Sequence, residues 1–178
     1  IIIPSFGFIS AGISTLQCHA KPIFVDLKNN TFDIDEEEIL RKINKSTRAI
    51  IITHYNGYPI SIKNLKKKLS KYKNIKILED GAHCLGAKDG NKFIGSNSDA
   101  AVYSFGPTKI ITTAGMGGMV VSKSRKLIDK IKILRSYGMN KSSFDRSNKK
   151  RNWVYEIKNQ GHNYRMTEMN AAVGISQL

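Results

Sequence analysis

Two short segments carry residues that could do chemistry. One is residues 79–83 (Glu-Asp-Gly-Ala-His), and the other is residues 104–109 (Ser-Phe-Gly-Pro-Thr-Lys), with a glycine-rich stretch at 112–118 behind it. Each follows a hydrophobic run typical of a buried strand. In open α/β sheets, ligands bind beyond the carboxyl ends of the strands. A strand-end Asp is more often a helix cap and a lone Lys is usually solvated, but the two segments together predict a ligand site.

The residue types in these segments suit a pyridoxal cofactor. Its ring withdraws electrons only while the ring nitrogen stays protonated, and a carboxylate such as that of Asp80 would enforce this. Its aldehyde needs an amine, which Lys109 supplies. Its phosphate needs hydroxyl and backbone N–H donors, which Ser104 and the glycine-rich turn provide. The segments therefore predict a site for pyridoxal 5′-phosphate (PLP), and we expect no metal.

The elements that position these residues follow an alternating pattern. Short β-branched runs alternate with amphipathic helices, which predicts an α/β fold with a mainly parallel sheet flanked by helices. Strands are predicted at 1–4, 21–25, 48–53, 75–78, 100–104 and 117–122. Helices are predicted at 8–19 and from Asp35, Ser61, Ser124 and Thr167 onward.

Several local features give sharper expectations. Asp35 and Glu38 have the spacing of a capping box, in which two side chains bond to backbone N–H groups at a helix start. Ser61 is expected to cap the next helix. His54 follows a strand, and we interpret it as a hydrogen-bonded turn residue. Residues 136–158 are polar, basic and without periodicity, which predicts a long surface excursion.

Composition limits the classes of partner. The net charge of +15, from 29 Lys and Arg against 14 Asp and Glu, could attract nucleic acid, membrane lipid or a phosphorylated small molecule. The lysines crowd one predicted surface helix, however, and no aromatic residues interleave with them as single-strand binding would require. No apolar run approaches the roughly 18–20 residues of a membrane helix. We therefore expect neither nucleic acid nor a membrane as partner.

The cysteines and the ends of the sequence complete this picture. Cys18 and Cys84 are too few for a disulfide scaffold and lack metal-ligand spacing, which favours a reduced, cytoplasmic setting. The sequence starts in an apparent strand and stops in a helical pattern. We therefore interpret it as an excerpt from a longer polypeptide.

Seven segments, taken in order, resemble the DegT/DnrJ/EryC1/StrS family, the sugar aminotransferases of the fold-type I PLP enzymes. They are residues 4–10, 20–26, 53–59, 79–83, 104–109, 117–120 and 161–168. The resemblance covers essentially the whole chain, and it is the order and spacing of the segments that make it specific. It implies that residues 1–178 are part of the large PLP-binding domain, with an N-terminal segment and the small C-terminal domain missing.

The resemblance implies a role for each residue that matches a family motif. Lys109 matches the Schiff-base lysine that also moves the proton in transamination, and Asp80 matches the partner of the pyridine nitrogen. His83 matches the contact to the ring hydroxyl, and Ser104 matches a phosphate-binding serine. Phe8 matches an aromatic residue that stacks on the cofactor ring, although core packing is nearly as good an interpretation.

Asn163 and Arg165 match positions that reach into the neighbouring subunit's site near the phosphate, which implies a homodimer. The sequence departs from the family pattern at Met116, where an acidic residue is usual, and at Gly7, where Thr is common.

The activity implied is transfer of an amino group, from glutamate, to a keto group of a nucleotide-linked sugar, for surface-glycan or secondary-metabolite synthesis. One alternative is a related PLP-dependent sugar dehydratase, but those relatives place His where Lys109 stands. The other is a non-catalytic regulatory homologue. Intact Asp80, Ser104 and Lys109 argue against it, as does the lack of a helix-turn-helix pattern.

Overall fold

A six-stranded sheet forms the centre of the protein. The computed structural model describes residues 1–140 and 155–178. The sheet strands are β1 (Ile2–Pro4), β2 (Ile23–Val25), β3 (Ala49–Thr53), β4 (Lys76–Asp80), β7 (Ala100–Ser104) and β8 (Gly118–Val121). Their order across the sheet is β2-β1-β3-β4-β7-β8. A small hairpin of β5 (Lys88–Asp89) and β6 (Lys92–Phe93) lies between β4 and β7 in the chain. The helices are α1 (Ser10–Gln17), α2 (Glu36–Lys42), α3 (Ile62–Lys68), α4 (Arg125–Leu134) and α5 (Glu168–Ile175).

The sheet is parallel throughout except at one edge. β1 pairs in parallel with β2 and β3, β3 with β4, and β4 with β7, whereas β8 runs antiparallel to β7. In a parallel sheet the carboxyl ends of the strands meet at one edge, so residues that end β3, β4 and β7 become neighbours. The predicted α/β fold with a mainly parallel sheet flanked by helices is confirmed.

Isoleucines and leucines from the strands and from α2 and α3 fill the core on one side of the sheet. The fully buried members include Ile39 of α2, Ile50 and Ile52 of β3 and Leu65 of α3, each 0% exposed. Burying one such side chain stabilises the fold by about 1.5–3 kcal/mol. The lysines of α3 lie on its other faces, where Lys63, Lys66, Lys67 and Lys68 are exposed. This core therefore anchors β3 and β4, the strands that lead to the predicted site.

The helix caps differ in part from the sequence predictions. Asp35 does cap α2, because its Oδ1 accepts hydrogen bonds from the backbone N–H groups of Glu37 (2.9 Å) and Glu38 (3.2 Å). The second half of the predicted capping box is wrong. The Glu38 carboxylate accepts from the backbone N–H of Asp26 (2.6 Å), while the Asp35 N–H donates to the Asp26 carbonyl (2.9 Å). Glu38 therefore bonds to the backbone just after β2 instead of to the backbone N–H of Asp35.

The predicted side-chain cap at Ser61 is also wrong. Ser61 stands at the N-terminus of α3, but its hydroxyl makes no capping bond and donates instead to Asp89 Oδ2 at 3.0 Å. Asp89 belongs to the β5–β6 hairpin, whose two-residue strands are too short to show an alternating pattern in the sequence.

The predicted surface excursion at 136–158 lies mostly outside the described residues, which stop at 140 and resume at 155. Its two described flanks meet, because the backbone N–H of Asn140 donates to the Glu156 carbonyl at 3.0 Å and Met139 pairs with Ile157. Within the described ranges, no helix has the length and apolarity needed to cross a bilayer.

Candidate active site

Asp80 and Ser104 end two neighbouring strands at the same edge of the sheet. In the parallel β4–β7 pair, Asp80 lies opposite Val102, and the backbone N–H of Gly81 donates to the Val102 carbonyl at 2.9 Å. Ser104 is the last residue of β7, two positions farther on. The turn to Lys109 starts there, so the two predicted segments come together beyond the strand ends, as the topology requires.

An open cleft of about 630 Å³ lies at this edge of the sheet. Five of the seven predicted site residues line it, namely Phe8, Asp80, His83, Ser104 and Lys109. They come from four separate parts of the chain: the entry to α1, the end of β4 and the turn after it, the end of β7, and the turn that follows β7.

Asp80 presents one free carboxylate oxygen. The side chain is half-buried, and its Oδ1 accepts a hydrogen bond from the Ala82 backbone N–H at 3.1 Å. No group within residues 1–140 and 155–178 donates to the other oxygen, Oδ2. The main chain is fixed as well, since the His54 N–H donates to the Asp80 carbonyl at 3.1 Å. The position of Asp80 is thus fixed by these hydrogen bonds, and its Oδ2 atom can accept a further hydrogen bond from a ligand.

Lys109 and Ser104 surround a small open space at Gly106. A Cβ atom on Gly106 would lie 3.8 Å from Ser104 Oγ, 3.8 Å from Met116 Sδ and 4.0 Å from Lys109 Cγ. The turn is closed by a hydrogen bond from the Lys109 backbone N–H to the Gly106 carbonyl, at 3.0 Å. In the part of the chain that the structure describes, neither the Ser104 hydroxyl nor the Lys109 ammonium group has a partner. Both polar groups are therefore available to a ligand.

His83 and Phe8 supply aromatic surface to the cleft. The His83 ring stands edge-on to the Tyr55 ring, with the centroids 6.0 Å apart. Phe8 is 77% exposed, so it does not pack in the core of the described chain. An aromatic side chain this exposed at the cleft is available for stacking on a planar ligand.

Buried groups beneath the cleft are strongly shielded from water. His54 and Glu79 are 1% and 2% exposed, and their side chains lie 2.8 Å apart. The prediction that His54 is a hydrogen-bonded turn residue is confirmed, although its partner was not foreseen. Burial raises the pKa of the Cys84 thiol to about 11, and the Asp80 and Glu79 carboxylates add to the increase. Burial likewise raises the pKa of the Tyr103 phenol, with a further contribution from Glu79.

Asn163 and Arg165 are not among the residues that line the cleft. Arg165 Nε donates to Asn163 Oδ1 at 2.9 Å, and its guanidinium carbon stands 5.6 Å from the centre of the Tyr137 ring. Asn163 pairs with Ser136 in an isolated bridge, and both predicted residues are exposed. Within one chain the structure does not bring this pair to the other five residues.

Among the further residues that line the cleft, Thr53, Tyr55 and Val102 were not singled out from the sequence. Thr53 and Val102 flank Asp80 in the strand register, which places all three on one face of the sheet. The register follows from strand pairing, which the sequence does not display. The hydrophobic run around Val102 predicts a core residue, but Val102 is 44% exposed because it faces the cleft.

Comparison with known proteins gives consistent matches over the full chain. The sequence model of the DegT/DnrJ/EryC1/StrS aminotransferase family matches residues 1–178. The UDP-4-amino-4,6-dideoxy-N-acetyl-beta-L-altrosamine transaminase of Helicobacter pylori is 35% identical over 178 residues, which are 100% of this chain and 44% of that protein. The GDP-perosamine synthase of Vibrio cholerae is 33% identical over the same length, 45% of that protein.

A solved structure shows the same architecture. Helicobacter pylori PseC, an aminotransferase involved in the biosynthesis of pseudoaminic acid, superposes with a TM-score of 0.86 at 34% identity. The match covers 99% of this chain and 45% of PseC. The predicted fold-type I architecture is thereby confirmed, and the chain spans a little under half the length of the relatives that it matches.

Proposed function

Because the chain belongs to the DegT/DnrJ/EryC1/StrS aminotransferase family, we propose that it is the cofactor-binding part of a PLP-dependent sugar aminotransferase. The reaction is transfer of an amino group from glutamate to a keto group on a nucleotide-linked sugar. The observation that carries the proposal is the single cleft that Asp80, Ser104 and Lys109 share at the ends of two adjacent strands.

The cleft residues fit PLP by their chemistry. In the described ranges, Asp80 has an unused carboxylate oxygen and Ser104 has a hydroxyl without a partner, and both residues line the cleft together with Lys109. When bound, PLP supplies an electron-withdrawing ring that stabilises negative charge on the carbon that carries the amino group. The groups that such a cofactor needs are present in one place.

Each residue has a defined task in this proposal. Asp80 Oδ2 would accept a hydrogen bond from the ring nitrogen and keep that nitrogen protonated. The Ser104 hydroxyl would donate to the phosphate. Lys109 Nζ would hold the aldehyde and would carry the proton that leaves and returns to the donor carbon. His83 would contact the ring hydroxyl, and Phe8 would offer an aromatic surface to the ring.

The substrate class is supported by the relatives and by charge. The Helicobacter pylori and Vibrio cholerae relatives are named for UDP-linked and GDP-linked aminosugars, respectively. A net charge of +15 favours encounter with a substrate that carries a diphosphate. We propose that the product serves surface-glycan or secondary-metabolite synthesis.

The proposal extends to assembly and location. Asn163 and Arg165 are exposed and do not line the cleft of their own chain, which suits a role in the phosphate site of a second subunit of a homodimer. Residues 1–178 then form part of the large PLP-binding domain, and the small domain completes the substrate cleft. Both cysteines are free, as expected for an enzyme of the reducing cytoplasm.

The decisive experiment incubates the complete enzyme with PLP, glutamate and a set of UDP- and GDP-linked ketosugars. The expected products are 2-oxoglutarate and an aminosugar nucleotide in equal amounts. Both are measured by mass spectrometry. Lys109→Ala should abolish both products, whereas Lys126→Ala, which changes an exposed lysine of α4, should not. A deoxygenated sugar without 2-oxoglutarate would indicate the dehydratase alternative. DNA binding that falls with salt, without any turnover, would indicate the regulator.

A further inference from the structure

His54 and Glu79 form a buried pair next to the cleft, and the proposed reaction assigns no role to either residue. His54 Nε2 and Glu79 Oε2 are 2.8 Å apart. The backbone N–H of Ile60 donates to His54 Nδ1 at 3.0 Å, so Nδ1 acts as an acceptor and carries no proton. The proton of the neutral ring is therefore on Nε2, and it is donated to Glu79.

The Glu79 carboxylate uses both oxygens as acceptors. Oε2 accepts from His54, and Oε1 accepts from the backbone N–H of Gly95 at 3.0 Å. A carboxyl group that only accepts is ionised. Among the described residues, no lysine or arginine lies within ion-pair distance of it. The buried charge of Glu79 is thus held by two N–H donors, and it depends on the His54 ring for one of them.

The main chain connects this pair to the cleft. The His54 N–H donates to the carbonyl of Asp80, the residue that follows Glu79 in β4. The His54 carbonyl accepts from the Cys84 thiol at 3.6 Å, and Cys84 follows His83 in the chain. Successive side chains of a strand point to opposite faces of the sheet. The Glu79 side chain therefore holds β4 from one face, while the Asp80 side chain faces the cleft on the other. One histidine thereby ties down the ends of β3 and β4 and the turn that carries His83.

We propose that His54 is a positioning residue for the cofactor site: through Glu79 and the β4 main chain it holds Asp80 and His83 in place against the cofactor ring. The inference rests on the proposed function, because it takes Asp80 as the partner of the ring nitrogen. The His54 side chain is 0% exposed, so it acts through Glu79 and the main chain.

The test compares three variants of the complete enzyme. His54→Leu removes both ring nitrogens, and His54→Gln keeps one donor and one acceptor. Ile77→Ala removes packing from the same strand as Glu79 without touching the pair. For each variant, the melting temperature of the apoprotein, the dissociation constant for PLP and the absorbance spectrum of the bound cofactor are measured. Glu79→Gln, which leaves the shape of the side chain unchanged, provides a second way to break the pair.

We expect His54→Leu to bind PLP about ten- to a hundredfold more weakly, the usual loss when a group behind a binding residue is removed. Its spectrum should change, and His54→Gln should recover most of the affinity. Ile77→Ala should lower the melting temperature but leave affinity and spectrum at the wild-type values. Should His54→Leu not fold, Glu79→Gln takes its place in the comparison.

Equal PLP affinity in Ile77→Ala, His54→Leu and Glu79→Gln would overturn the inference, and so would a failure of His54→Gln to recover affinity lost in His54→Leu. Failure of the wild-type enzyme to bind PLP at all would instead contradict the proposed function. The two failures are therefore distinguishable.

Discussion

Asp80 and Ser104 are the last residues of two hydrogen-bonded parallel strands, and both side chains line the same cleft. Each strand contributes a different group: a carboxylate from β4, and a hydroxyl followed by the lysine turn from β7. Because the pairing of β4 with β7 fixes the separation of the two strand ends, neither group depends on a flexible loop for its position. Local changes in the cleft should therefore affect ligand binding more than folding.

The first prediction concerns the charge of Asp80. Asp80→Asn keeps an oxygen for the Ala82 N–H but removes the negative charge that would hold a proton on the ring nitrogen. We expect glutamate-dependent turnover to fall by at least about a hundredfold, as when other groups that stabilise charge in the reaction are removed. The melting temperature should stay close to that of the wild type. Turnover is measured as 2-oxoglutarate release, and Asp89→Asn, in the β5–β6 hairpin, is the control. Wild-type turnover in Asp80→Asn would remove the role assigned to this carboxylate.

The second prediction concerns the open space at Gly106. The nearest atoms to an added Cβ are 3.8–4.0 Å away, which is ordinary contact, so Gly106→Ala should fold normally. The methyl group nevertheless occupies the space between Ser104 and Lys109, where a bound phosphate or ring would lie. We expect an unchanged or slightly higher melting temperature, since Gly to Ala at a compatible site adds about 0.4–1 kcal/mol, and weaker PLP binding.

Gly118→Ala provides the contrast for this variant. Its Cβ would lie 3.0 Å from the Tyr103 carbonyl oxygen, so it should destabilise the β7–β8 pair. If Gly106→Ala bound PLP as tightly as the wild type, the space would not belong to the cofactor site.

The third prediction concerns the two cysteines. Cys18 is exposed, whereas Cys84 is buried, with a pKa raised to about 11. A thiol with a raised native pKa contributes stability below its unfolded value of about 8.5, and this contribution is lost as the pH rises toward the native pKa. Because Cys84 is buried and its thiol is protonated at neutral pH, iodoacetamide should modify Cys18 readily and Cys84 only after unfolding. Peptide mass spectrometry measures both modifications.

The raised pKa of Cys84 also makes the stability of the protein depend on pH. Between about pH 8.5 and 11 the wild-type protein should lose stability relative to Cys84→Ala, because only the wild type has a buried thiol whose pKa folding raises. Melting temperatures of the two proteins across this range measure the difference. Parallel curves would show that the buried thiol does not ionise on unfolding.

The fourth prediction concerns subunit sharing. If Arg165 serves the neighbouring site, an inactive Lys109→Ala subunit and an inactive Arg165→Ala subunit should complement each other in a mixed dimer. One of the two sites in each mixed dimer then has both residues intact. Random mixing should restore about a quarter of wild-type activity, since half of the dimers are mixed and each has one good site. No recovery after unfolding and refolding the mixture together would place Arg165 in its own subunit's function.

The positions of individual strands could be predicted from the sequence, but their order in the sheet and the contacts between distant residues could not. The predicted strand at 100–104 matches β7, and the predicted strand at 75–78 stops two residues before β4 ends at Asp80, because the hydrophobic run is local and ends before the polar Glu79 and Asp80. The strand order could not be predicted, since β1 lies between β2 and β3 only through pairing across the chain.

Side-chain partners across long separations were likewise missed. Glu79 lies 25 residues from His54, and Asp89 lies 28 residues from Ser61, so neither contact leaves a local pattern. Val102 shows the same limit, because its hydrophobic neighbours predict a core residue although the cleft exposes it.

Reductive trapping of the complete enzyme tests the central claim most directly. The enzyme is loaded with PLP, reduced with borohydride, digested and analysed by peptide mass spectrometry. We predict a single pyridoxyl group on Nζ of Lys109, and none when Asp80→Asn and Lys109→Ala are combined. A pyridoxyl group on any other lysine, or an unlabelled Lys109 in enzyme that has bound PLP, would contradict the assignment.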